Sequence, residues 1–197
     1  MKKLLLIALL LITNLTYAQH RRDSVRIKTD IFEVVYSEVL EQPRWIQYYV
    51  ECPDGTAPRS GLEFRSYPKV KTSDDSDYVN NVYDKGHMAP AADFACDRFT
   101  IAKTFTYINC ALQHQDLNRG VWKNLEVFER NLASRGIKVK VTIKVDFANA
   151  KKLSTGATIP TGFWKMIEAD GKVYEFYFLN VTPTKSDFML YQTNCCK

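Results

Sequence analysis

The segment NVYDKGHMAPAADF, residues 81–94, carries one of only three histidines in the chain, His87, directly behind Gly86, with Asp84 and Lys85 before it and Pro90 after it. An imidazole titrates nearest to neutral pH, so at this position it could take a proton from a water molecule under physiological conditions. The preceding glycine lets the backbone turn sharply and come close to a ligand. A histidine held by hydrogen bonds for purely structural reasons would look the same in this segment alone.

A second group lies on what reads as a helix. Asn118, Glu126 and Arg130 share one broad flank, because at 100° per residue the latter two fall about 80° and 120° from Asn118. Eight residues rise ~12 Å, too far for Asn118 and Glu126 both to touch one ion directly. A hydrated Mg²⁺ fits better, with the Asn118 amide oxygen as its protein ligand and Glu126 gripping its waters, because Mg²⁺ sheds water reluctantly. The competing reading is a solvated helix face with an ordinary Glu126/Arg130 pair at i, i+4.

The elements that must position these residues follow from patterning. Residues 31–39 and 44–51 are strand-like and separated by a Glu-Gln-Pro break that suits a hairpin. From Cys52 to Tyr83 runs a long Pro-, Gly-, Ser- and Asp-rich stretch, and loops of that length are often functional. TFTYINCAL, 104–112, reads as a buried strand. Val121, Leu125, Phe128 and Leu132 then form one apolar helical stripe, closed by Gly136. IKVKVTIKVDF alternates as a half-buried strand with a basic outer face, and FWKMIEA and KVYEFYFLNV join at Asp170-Gly171, a strong hairpin signal. The expected fold class is α+β, a mostly antiparallel sheet with one principal long helix.

Composition sets the setting. MKKLLLIALLLITNLTYA, residues 1–18, has the two lysines, apolar run and small-residue end of a signal peptide, and its apolar stretch is shorter than the ~20 residues a bilayer span needs. Residues 19–197 are then expected to form one domain, secreted or periplasmic, with no membrane contact after cleavage. Leaving out Lys2 and Lys3, 25 of the 27 basic residues face 22 acidic ones, an excess of about +3 that permits a polyanionic partner without demanding one. Five cysteines in an oxidising compartment allow a disulfide and leave one thiol over, with no zinc-type spacing.

Taken together, YDKGHMAPAADF and YINCALQHQDLNRGVWKNLEVFER resemble the DNA/RNA non-specific endonuclease family, the sugar-non-specific nucleases with a ββα-metal motif. Asp84, Gly86, His87, Pro90, Asn109, Gln113, Leu117, Asn118, Gly120, Trp122, Leu125 and Glu126 fall in register with its pattern, and IPTGFWKMI is similar to a later family segment. The resemblance implies cleavage of DNA and RNA with little sequence preference, His87 as general base, Asn118 as direct ligand of one Mg²⁺ (or another divalent ion such as Mn²⁺), and Glu126 as partner of its waters. It also implies that Arg130 and Lys85 stabilise phosphate charge, with Arg59 and Asp84 among the substrate-binding residues. Lys85 stands where the family has arginine, which removes bidentate contact and keeps a point charge. Arg59 and Arg65 both compete for a further family arginine, and His114 reads as loop decoration. The alternative is a non-catalytic nucleic-acid or polyanion-binding relative of the fold; a third reading is a phosphodiesterase for small nucleotides. Oligomeric state is left open by the sequence.

Overall fold

The computed structural model describes residues 21–193, so the expected signal peptide and Cys195 and Cys196 lie outside the described residues. Six strands form one sheet in the order β1-β2-β3-β6-β7-β8: β1 (Val25–Lys28), β2 (Phe32–Ser37), β3 (Gln42–Tyr49), β6 (Val139–Asp146), β7 (Gly162–Ala169) and β8 (Lys172–Leu179). Every neighbouring pair is antiparallel. The remaining strands, β4 (Tyr83–His87) and β5 (Cys110–His114), pair with each other as a separate hairpin. Helix α1 (Arg98–Ala102) lies between them in the chain, and after β5 come the short α2 (Gln115–Leu117), a wide turn at Asn118–Trp122, and the principal helix α3 (Lys123–Ala133). β4, β5 and α3 make the ββα unit on one face of the large sheet.

Alternation explains the sheet. Val139, Val141, Ile143 and Val145 of β6 point into the core with Phe163 and Ile167 of β7 and Phe176 and Phe178 of β8, and α3 covers them with Leu125. Lys140 and Lys144 take the opposite, basic face. The β7–β8 hairpin turns at Asp170 (φ 50°) and Gly171 (φ 70°), the left-handed pair that a two-residue hairpin of this hand requires.

Several expectations are corrected. β1 was not expected, because Val25 and Ile27 are too short an alternation to stand out from a polar stretch. The break at Glu41–Pro43 is shorter than expected: Glu41 alone takes a left-handed turn (φ 55°), and Gln42 and Pro43 already belong to β3, Pro43 opposite a register shift at Val35/Tyr36. The strand expected at 104–112 begins only at Cys110, after a 3₁₀ turn at Tyr107–Asn109. The region around His87 is a regular strand instead of a tight turn. The helix is broken at Gly120 (φ −102°, ψ −115°), so wheel arithmetic from Asn118 to Glu126 does not hold.

Cys52 and Cys96 form a disulfide with Cα atoms 5.3 Å apart, and Cys110 is a buried free thiol. The bridge closes a loop with a sequence separation of 44 that contains Arg59, Phe64, Lys85 and His87. By loop-closure entropy, replacing both cysteines by serine is expected to cost about 2–4 kcal/mol. Thermal unfolding with and without reductant checks this: reductant should lower the Tm of the parent and leave that of the double serine variant unchanged.

Candidate active site

The ββα unit and the long loop after β3 enclose a cleft of ≈ 570 Å³. Arg59 comes from the loop, Asp84, Lys85 and His87 from β4, Asn118 from the wide turn, and Glu126 and Arg130 from α3. All seven expected site residues therefore line one cavity, although they come from four separate elements of the chain. Arg65 is not among the lining residues; its backbone pairs with Thr106.

β4 and β5 run in a register that sets Asp84 opposite Gln113 and His87 opposite Cys110. Gly86 has no turn to make. A Cβ there would lie 2.4 Å from Gln113 Oε1 and 2.5 Å from Gln113 Cβ, so the glycine exists to let the fully buried Gln113 cross the hairpin. His87 is wedged between two phenylalanines, with centroids 4.8 Å from Phe64 and 4.9 Å from Phe105. Its Nε2 is buried without a partner, which leaves Nδ1 as the nitrogen able to face the cleft. Burial, reinforced by the nearby Arg59 charge, pushes the imidazole pKa down to about 3, so the ring is neutral at physiological pH.

Asp84 was expected among the substrate-binding residues, but its carboxylate is engaged inside the protein. Oδ2 accepts from Asn118 Nδ2 at 2.8 Å and from Arg119 Nε at 2.9 Å, and Oδ1 accepts from Arg119 Nη2 at 2.6 Å. Burial opposes its charge, yet the Arg119 and Asn118 hydrogen bonds outweigh it and hold the carboxyl below its ordinary pKa. With its NH₂ taken by Asp84, Asn118 keeps its amide oxygen free to meet a cation in the cleft.

The other charged groups have unequal freedom. Lys85 pairs with Asp75, whose Oδ1 also accepts from Tyr107 Oη at 2.5 Å, and the ammonium sits 5.6–5.9 Å from the rings of Phe64, Tyr78 and Tyr107. Arg130 donates to the fully buried Asp93 at 2.8 Å, which fixes its guanidinium at the cleft wall. Glu126 is half-buried there. Burial is the largest influence and, with the Glu129 charge adding to it and Lys165 and Arg130 opposing, raises its pKa to about 7. Among the described residues no group of three or more His, Cys, Asp or Glu side chains could cage a metal. His114 lies outside the cleft; its Nδ1 accepts from Asp116 N at 3.3 Å and caps α2.

Residues that sequence reasoning passed over include Phe64 and Phe105 against His87, Arg119 on Asp84, and the buried Lys165 under α3. Only Lys165 left a signal, as a lysine in the inward row Phe163-Lys165-Ile167 of an alternating strand.

A ββα hairpin-helix unit set on an antiparallel sheet thus brings a neutral histidine, a free amide oxygen and cations around one cleft. The chain belongs to the DNA/RNA non-specific endonuclease family, whose profile matches residues 12–197. It is similar to a mitochondrial nuclease EXOG of Danio rerio, 31% identical over 105 residues, covering 51% of this chain and 31% of that protein. It is also similar to a nuclease of Nostoc sp., 35% identical over 90 residues, covering 46% of this chain and 33% of that protein. The match thus spans about a third of the length of these curated relatives. A mitochondrial nuclease of Saccharomyces cerevisiae is 26% identical over 157 residues, 68% of this chain and 47% of that protein. Among solved structures, EndoG in its complex with EndoGI shares the fold with a TM-score of 0.74 at 22% identity, over 85% of this chain and 79% of that one.

Two stability experiments follow from the geometry. Gly86→Ala is expected to destabilise by about 1–3 kcal/mol through overpacking against Gln113, read as a lower Tm. Glu126 has a folded pKa above that of an unfolded glutamate, so folding favours its protonated form, and stability is lost as pH rises from about 4.5 towards 7. Glu126→Gln should therefore leave Tm unchanged at pH 4 and raise it at pH 8 by about 2–4 °C, the shift for ~1 kcal/mol in a domain of this size after discounting for solvent screening.

Proposed function

We propose that this chain is an exported, divalent-metal-dependent endonuclease that cuts DNA and RNA internally with little sequence preference. The observation that carries the reading is the meeting of His87, Asn118 and Glu126 with the cations Arg59, Lys85 and Arg130 in one cleft, the Asn118 amide being oriented by Asp84. Family membership supports a nuclease, and the leader at residues 1–18 together with the Cys52–Cys96 bridge supports an oxidising destination for a single domain, residues 19–197.

The donor set fits a hydrated Mg²⁺, with Mn²⁺ as a substitute. One amide oxygen, that of Asn118, is free for direct contact, while Glu126 supplies an acceptor for the ion's waters; a cation that retains most of its water needs no carboxylate cage. When bound, the metal would neutralise phosphate charge and stabilise the departing 3′-oxygen.

The protein's own residues do the rest. Phe64 and Phe105 hold the His87 ring and exclude water from its sides, so the imidazole is neutral and oriented to accept a proton from an attacking water at Nδ1. A phosphate docked beside Arg59 offsets the Arg59 charge that acts on His87 and lifts the basicity of the imidazole back towards a useful range. Arg130, braced by Asp93, presents fixed positive charge to the phosphate, and Lys85 adds a point charge when it exchanges Asp75 for substrate. Contacts of this kind address the phosphate backbone, which is common to every sequence.

Incubating residues 19–197 with supercoiled plasmid and with RNA, in Mg²⁺ or EDTA, tests the reading. Internal cutting of both polymers, abolished by EDTA and lowered about 10²–10⁴-fold in His87→Ala, is expected. Plasmid shifted on a gel but left intact would show a binding protein instead, and cleavage confined to dinucleotides would show a small-nucleotide phosphodiesterase.

A further inference from the structure

Lys165 occupies an inward position of β7 between Phe163 and Ile167 and is only 1% exposed. A lysine among apolar neighbours is costly unless its charge is compensated, and here two groups compensate it. Nζ lies 2.5 Å from Glu129 Oε1 and 4.5 Å from the centroid of the Trp122 ring. Glu129 is fully buried as well, and its Oε2 accepts from Tyr48 Oη of β3 at 2.9 Å. Trp122 is fully buried against Phe163 and Phe178.

Both of Lys165's partners sit on or at the start of α3, seven residues apart, which is two turns and the same side of the helix. Glu126 lies between them, four residues after Trp122 and three before Glu129. At the wall of the cleft and beneath it, three carboxyl groups, Asp93, Glu126 and Glu129, gather around two cations, Arg130 and Lys165. Arg130 is occupied by Asp93, so Lys165 is the cation that balances the acidic side of α3 from below.

We infer that Lys165 is a positioning residue for the proposed site: through Glu129 and the Trp122 ring it sets the rotation of α3 over the sheet, and it supplies the positive charge beneath Glu126. This rests on the nuclease reading above, because Glu126 matters only if that cleft works on phosphodiesters. Lys165 never meets substrate. It acts through the helix that does.

The inference predicts an asymmetry that a merely structural ion pair would not show. Glu129→Gln keeps the volume and an acceptor oxygen for Lys165, turns its NH₂ towards the Tyr48 hydroxyl oxygen, and removes one negative charge near Glu126; Lys165→Gln keeps a donor to Glu129 and removes the cation paired with it. Both are measured for Tm, for kcat and KM on plasmid and RNA, and for the rise in Tm caused by Mg²⁺. Glu129→Gln should retain kcat within about threefold, whereas Lys165→Gln should lose about 10- to 100-fold in kcat with KM unchanged, together with a smaller Mg²⁺-induced rise in Tm, the range typical of residues that orient metal-site ligands. Should Lys165→Gln fail to fold, the charge-balanced Lys165→Met/Glu129→Gln variant takes its place and should show the same loss of kcat. Wild-type kcat in a folded Lys165 variant, or an equal loss in Glu129→Gln, would overturn the inference. A parent protein that cuts neither polymer would instead overturn the nuclease reading, so the two failures are distinct.

Discussion

The carboxylate of Asp84 is the constraint on which the site depends. It joins strand β4 to the turn that carries Asn118, accepting the amide NH₂ at 2.8 Å while Arg119 closes on it from outside. That single pairing decides which end of the Asn118 amide meets the cleft. It also sets the distance between the strand bearing His87 and the helix bearing Glu126. The hairpin register, the missing Cβ at Gly86 and the wide turn at Gly120 all serve to let these two groups approach.

Behind this surface the protein carries an unusual load of buried charge. Asp93 with Arg130 and Glu129 with Lys165 are paired, and Glu126 is left facing the cleft with a raised pKa. Pairing two of three carboxyl groups and leaving the third open trades stability for a site that favours a cation. The same trade appears at His87, where two aromatic rings and Arg59 keep the imidazole neutral at a cost in solvation. The disulfide holds the loop that brings Arg59 and Phe64 to these groups.

The sheet and its hairpins were legible in the sequence because their signals are local: strict alternation in 139–146, and Asp170-Gly171 between two aromatic runs. Six of the cleft residues, Asp84, Lys85, His87, Asn118, Glu126 and Arg130, were legible through their types and spacing together with the family resemblance. Other features depend on contacts between distant segments. Gly86 reads as a turn residue until Gln113 is found packed across it. The Asn118–Glu126–Arg130 flank was drawn across Gly120 as though the helix were continuous, because the apolar stripe that begins at Val121 gives no sign of the break before it. Arg59 and Arg65 are equivalent as letters, and only the path of the loop separates them. Asp84 looks like one more charge beside a histidine until Asn118 and Arg119 are seen to hold it.

The proposed nuclease activity requires the Asp84-oriented Asn118 amide to take a divalent ion that keeps most of its water. Water-proton relaxation during a Mn²⁺ titration measures both the affinity and the number of waters left on the bound ion, for the parent protein and for Asp84→Leu. The account predicts one bound Mn²⁺ retaining several waters, and binding weakened about 10- to 100-fold in the variant. An ion stripped of its water, or undiminished binding in Asp84→Leu, would contradict it.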